Sequence, residues 1–128
     1  MSMEKVIFGF VVLLAATLNF GFVVGDIADP ALHNVAELYL AVAVNIIAAV
    51  LKFGDRTQID AIQLATSLVA VLQLVAAASV YVYATQVAAE GLSRGLTSTM
   101  VSLAAGALLA NVSSVVMLVA ETVSYRRR

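Results

Sequence analysis

Polar residues able to handle a charged solute follow one face of an apolar segment in the first half of the chain. Glu37, Ala41, Asn45, Ala48 and Lys52 are three or four positions apart. At 3.6 residues per turn, such positions share one face of a helix. The face therefore carries an acid, an amide and a base at three depths. Leu, Val, Ile and Tyr fill the other faces, as expected of a membrane helix with one side towards protein or water.

Three carboxylates cluster before and at the start of this segment. Asp29 precedes Pro30 and is expected to cap the helix. Asp26 and Glu37 continue the polar stripes of their helices, and in a symmetric oligomer they would form rings that concentrate cations. The alternative is a solvated loop. Calcium binding would require more oxygen ligands than this loop clearly offers.

Amides occupy the middle of the apolar segments. Asn45, Gln73 and Asn111 are expected near mid-depth, while Asn19 lies nearer the outer face, under Asp26. One interpretation is that these amides line a hydrated path or site. The other is helix packing, in which Asn45, Gln73 and Asn111 hydrogen-bond one another, each bond contributing about 0.6–2 kcal/mol.

A second set of charges marks the opposite boundary of the apolar segments. It consists of Lys52, Asp55, Arg56, Asp60 and Glu121. We expect an interfacial salt-bridge cluster that fixes the hairpin of the second and third helices. Lys52 can extend its ammonium to the interface, with Glu121 as its partner from outside the hairpin. A role in gating is the alternative.

Composition restricts the class of protein. The chain has 128 residues, of which 62% are hydrophobic and 12% charged, whereas a soluble domain has roughly 45–50% apolar and about 25% charged residues. The absence of cysteine excludes disulfides and thiolate chemistry, and a single histidine excludes a multi-histidine metal site within one chain. A net charge of −1 gives no indication of nucleic-acid binding. No catalytic constellation or cofactor motif is present, so neither an enzyme nor a cofactor is predicted.

The apolar runs predict an all-α, integral membrane bundle of four transmembrane helices in a single domain, 1–128. The first run is too long for a typical signal-peptide core and is interpreted as a retained helix. Gly54 is expected to end the second helix in a left-handed conformation, and Thr57 and Thr97 are expected to cap the third and fourth. The predicted helices are roughly 4–25, 30–53, 58–87 and 98–124.

Basic residues predict the orientation. With four crossings, both termini and the 54–57 turn lie on one side, which carries all of the Lys and Arg residues except Arg94. The excess of basic residues places this side, and hence both termini, in the cytoplasm.

Four segments resemble a known family: TLNFGFVVGDI (17–27), LKFGDRTQI (51–59), LATSLVAVLQLVAAA (64–78) and GALLANVSSVV (106–116). They are similar to an uncharacterised family of small four-helix bacterial inner-membrane proteins. The resemblance covers nearly the whole chain and implies an α-helical protein of that membrane. It assigns no catalytic or binding residues.

These observations favour a homo-oligomeric membrane protein that conducts or binds monovalent or divalent cations. One four-helix chain is too small to enclose a wide pore, so symmetry would have to supply the pore, with the second helix as its wall. Asp26 and Glu37 would form its acidic outer mouth, and the amides would hydrate its middle. The alternative is a non-catalytic accessory or scaffolding subunit of a larger membrane complex, bound through its small-residue stripes.

Overall fold

The computed structural model describes residues 3–24, 35–54, 58–89 and 91–126, with only the backbone described at 59, 125 and 126. The four predicted helices are confirmed within these ranges. Their bounds are α1 Met3–Val23, α2 Val35–Lys52, α3 Gln58–Gln86 and α4 Arg94–Arg126.

Each helix is long and apolar enough to cross a membrane. Large hydrophobic side chains also cover the outside of the bundle: Phe10, Val50, Leu72 and Leu109 are each at least two-thirds exposed. Such a surface is unfavourable in water and favourable in hydrocarbon. The helices therefore fit a membrane protein, as the composition indicated.

The helices form a four-helix bundle in which each packs against two neighbours, in the cyclic order α1, α2, α3, α4 and back to α1. The larger part of the core combines Phe22, Leu38, Leu74 and Met100 with alanines from α2, α3 and α4. Alanine lets the helix backbones approach closely, which is the usual basis of helix association in membranes. Because neighbouring helices run antiparallel, the ends of α1 and α4 near Met3 and Arg126 lie at one end of the bundle.

Helix ends agree with the sequence at one junction and differ at another. Gly54 has a φ of +89° after α2, as expected of a glycine in the left-handed position. The prediction that Thr97 caps α4 is wrong, because the helix begins three residues earlier and the Leu96 N–H donates to Ser93 Oγ at 3.1 Å. Ser93 is thus the N-cap. The predicted caps Asp29 and Thr57 lie outside the described residues.

Candidate functional site

Each helix contributes one fully buried amide side chain to the interior of the bundle. All four are at most 1% exposed, as is general for polar residues of helices with a largely apolar outer surface, which face the bundle interior. We call them the axial amides: Asn19 on α1, Asn45 on α2, Gln63 on α3 and Asn111 on α4.

The axial amides do not hydrogen-bond one another. Asn45 Nδ2 donates to the Ala41 carbonyl of its own helix at 2.8 Å, and Gln63 Nε2 donates to the Ser114 carbonyl at 3.3 Å. Within the described part of the chain, neither polar atom of the Asn19 side chain has a partner, and Asn111 Nδ2 has none. Packing through amide–amide hydrogen bonds therefore does not account for these residues.

The unpartnered atoms of the interior are mostly acceptors. Among the described residues, seven buried side-chain atoms have no partner; one of them, Gln73 Oε1, lies at the α3–α4 contact, and four of the other six are oxygens. For Asn45 and Gln63, the hydrogen bonds identify which side-chain atom is the oxygen, because the nitrogen of each amide already donates to a carbonyl. The Ser67 hydroxyl, 2% exposed, also has no partner among them. This interior can therefore accept more hydrogen bonds, or coordinate more positive charge, than its own donors supply.

The positions of the axial amides along the bundle follow from the Lys52–Asp60 ion pair, which joins α2 to α3. Asn45 lies seven residues before Lys52, and Ser67 lies seven residues after Asp60. Both separations are about 10 Å of helix. Asn45 and Ser67 therefore lie at one depth on neighbouring helices.

Asn111 lies at a similar depth on α4. Gln63 donates to the Ser114 carbonyl, and the Thr66 and Ser114 hydroxyls are 2.5 Å apart. These bonds place Ser114 level with the first turns of α3. Asn111 precedes Ser114 by three residues, about 4.5 Å further from the Lys52–Asp60 pair.

Two ion pairs close the end of the bundle that carries Lys52, which we call the Lys52 end. Lys52 Nζ lies 2.7 Å from Asp60 Oδ1 and 4.4 Å from the centre of the Phe8 ring on α1. Lys5 Nζ lies 2.8 Å from Glu121 Oε2, which joins α1 to α4. The expected Lys52–Glu121 pair is thus wrong, because α4 packs against α1 and α3 and its carboxylate meets Lys5. The cluster residues Asp55 and Arg56 lie outside the described residues.

At the opposite end, Glu37 is half-buried and its carboxylate lies against Gly21 of α1. A Cβ at position 21 would overlap this carboxylate, so glycine is what permits the approach. Glu37 therefore belongs to the contact between α1 and α2 of its own chain. Asp26 and Asp29, the other residues of the predicted acidic mouth, lie outside the described residues.

Gln73 occupies a different place from the axial amides. Its side chain is half-buried and packs on Gly106, at the contact between α3 and α4. Gln63 contributes the α3 amide to the interior instead, together with Ser67. Gln63, Ser67 and Ser114 were not among the residues predicted for the site. For Gln63 and Ser67, the sequence signal was the i, i+4, i+7 spacing of Gln63, Ser67 and Ala70, which places them on one face of α3. All three are buried.

The polar face of α2 is turned into its own bundle. Ala41, Asn45, Ala48 and Lys52 are all buried within the single chain. The interpretation of α2 as a pore wall between chains is therefore corrected. The axial amides face the interior because this arrangement removes them from contact with lipid.

Comparison with known proteins identifies a family for this chain but no activity. No group of three or more His, Cys, Asp or Glu side chains able to hold a metal ion occurs within residues 3–24, 35–54, 58–89 and 91–126. No curated protein and no solved structure matches the chain significantly. A family of unknown function matches residues 32–122, which is most of the chain. The chain therefore belongs to this family, DUF6394.

Proposed function

We propose that this protein binds and conducts small cations along a polar axis inside each four-helix chain, in the bacterial inner membrane. The observation that carries the proposal is the excess of unpartnered, fully buried acceptor atoms among the axial amides and Ser67. A cation is a solute that satisfies acceptors without requiring donors in return.

If these amides serve only packing, their burial lowers the stability of the bundle. A buried polar group without a hydrogen bond costs about 1–3 kcal/mol, and polar residues inside membrane proteins commonly mark ion paths. A leucine at position 19 would have the same branching at Cγ without this cost. Occupancy of the axis by a cation, with accompanying water, would offset the cost and give the amides a function.

The charged groups at the two ends of the bundle distinguish an end that would attract cations from an end where charges are balanced. Glu37 would attract cations to one end, and Asp26 and Asp29 would add to that field. Lys5 and Lys52 lie at the other end, where ion pairs with Glu121 and Asp60 balance their charge. The basic residues favour a cytoplasmic location for the Lys52 end and both termini.

The proposal is tested by cation flux into proteoliposomes containing the purified full-length chain. We expect Asn19→Leu and Asn111→Leu each to reduce flux at least about tenfold, because each removes a polar group from the axis. Neither substitution is expected to change the unfolding free energy by more than about 1–3 kcal/mol, because the loss of an unpartnered amide offsets the cost of the larger leucine side chain.

Gln73→Met is the matched control, because it removes a buried amide oxygen that lies at the α3–α4 contact. It should leave flux unchanged. Absence of cation flux from the unaltered protein would refute the proposal. So would leucine variants that lose stability but keep their flux, since the amides would then serve packing.

The second candidate is an accessory subunit that docks on a larger membrane protein. It is favoured by an open groove of about 660 Å³ between α2 and α3, lined by valines more than by any other residue type, with the small residues Ala43, Ala78 and Ser79 and the aromatic residues Tyr39 and Tyr83 also in its lining. Small side chains of this kind admit a partner helix closely. The flux measurement separates the candidates, since an accessory subunit alone carries no flux.

A further inference from the structure

We infer that Asn45, Gln63 and Ser67 form a binding site for one alkali cation in the half of the bundle nearest the Lys52 end. The inference deepens the proposed function, on which it rests, by naming the place and the class of ion. It is carried by three buried oxygens, Asn45 Oδ1, Gln63 Oε1 and Ser67 Oγ, none of which has a hydrogen-bond partner within the described chain.

The helices bring these oxygens to one side of the interior. Gln63 and Ser67 are four residues apart on α3, so their side chains are neighbours on one face of the helix. Asn45 lies on the adjacent helix α2 at the depth of Ser67, as the Lys52–Asp60 pair requires. Asn45 and Ser67 therefore face the interior from adjacent helices, and Gln63 lies one turn nearer the Lys52 end, where its amide reaches across to α4. We call these three oxygens the polar wall.

On the facing helices, a small side chain and an amide without a fixed orientation lie opposite this wall. Ala15 of α1 lies seven residues beyond Phe8, whose ring is under the Lys52 ammonium, so it lies at the depth of Asn45. Its methyl group is the smallest side chain of that layer. On α4, Asn111 is 1% exposed and its Nδ2 has no partner among the described residues, so no hydrogen bond from this nitrogen fixes the amide orientation.

The ligand chemistry selects a monovalent ion. All three oxygens are neutral, whereas sites for Ca²⁺ and Mg²⁺ rely on carboxylates. The nearest described carboxylate on α3 is Asp60, one turn from Gln63, and its Oδ1 is engaged by Lys52 at 2.7 Å. This pair is electrically neutral overall, so it adds little attraction for a doubly charged ion. An alkali cation needs less compensation for its lost hydration than a divalent ion does.

The test is thermal unfolding of the full-length protein in mild detergent, at constant ionic strength set with choline chloride. We expect the Tm to rise with the logarithm of LiCl, NaCl or KCl concentration, since a ligand bound by the native state stabilises it. MgCl₂ should give no such rise. Ser67→Ala, which removes one oxygen with little change of volume, should weaken the apparent affinity about tenfold.

Asn45→Leu should abolish the response, while Gln73→Met should keep it. A response to choline or Mg²⁺ equal to that to the alkali salts, or no response at all, would overturn the inference. So would a full response in both Ser67→Ala and Asn45→Leu. Alkali-dependent stability without flux would retain the site and refute conduction, whereas flux without alkali-dependent stability would refute the site alone.

Discussion

Lys52 shows how a charged side chain is accommodated inside an apolar bundle. Its side chain is 7% exposed, and its charge is balanced by Asp60 and by the face of the Phe8 ring. The contacts tie α2 to α3 and to α1 at once. A buried ion pair of this kind adds little net stability over apolar packing, but loss of one partner leaves a charge without compensation.

Lys52→Met should therefore destabilise the bundle by about 3–5 kcal/mol, because the Asp60 carboxylate loses its buried counter-charge. Adding Asp60→Asn should recover most of this loss. Lys5→Met is the control: its pair with Glu121 is 39% exposed on the lysine side, so the expected cost is below about 1 kcal/mol. The measurement is the free energy of unfolding in mixed detergent micelles. Equal costs for the two lysines would contradict this account.

At the level of helices, the sequence predicts what depends on a single segment. The long apolar runs predicted four helices, Gly54 predicted the turn after α2, and the spacing of Ala41, Asn45 and Ala48 predicted that these residues share one face of α2, which turns into its own bundle. Each of these features is decided by local length, conformation or periodicity.

Features that depend on neighbouring helices could not be predicted in this way. On α3, polar residues occur at several angles around the helix, and only the contact with α4 decides that Gln63 is axial while Gln73 packs on Gly106. Glu121 lies in the same boundary layer as Lys52 and Lys5. The order of helices around the bundle assigns it to Lys5. The same ambiguity made a pore between chains a reasonable hypothesis.

The turn between α2 and α3 sets the register on which the depth of the candidate cation site depends. Gly54 has a φ of +89°, a conformation that costs an L-residue about 1–2 kcal/mol. Gly54→Ala should thus lower the free energy of unfolding by about that amount. Gly95→Ala should instead raise it by about 0.5–1 kcal/mol, since position 95 is helical and a Cβ there would meet only Ser93 Oγ at 3.9 Å. Unfolding measurements giving the same sign for both would contradict the structure.

At the scale of the whole molecule, leucine, valine and phenylalanine cover the outside of the bundle, while the axial amides lie inside it among buried apolar side chains such as Phe22, Leu38 and Leu74. A membrane favours this arrangement, because lipid solvates the apolar surface while these polar groups are kept out of the hydrocarbon. Under the proposed function, the conduction path lies within each chain. A homo-oligomer, if formed, would contain several parallel axes, and its symmetry axis would not be the path.

This distinction can be tested with a covalent tandem of two copies, because the α1 and α4 ends near Met3 and Arg126 lie at the same end of the bundle. One copy would carry Asn19→Leu with Asn111→Leu, and the other would be unaltered. If each chain has its own path, the tandem should carry about half the cation flux of a tandem of two unaltered copies. If several copies instead share one pore, every pore would contain altered copies. The flux should then fall nearly to that of a tandem in which both copies carry the two substitutions. Reversing the order of the copies is the control. The flux should not depend on that order, because each copy forms the same four-helix bundle in the bilayer.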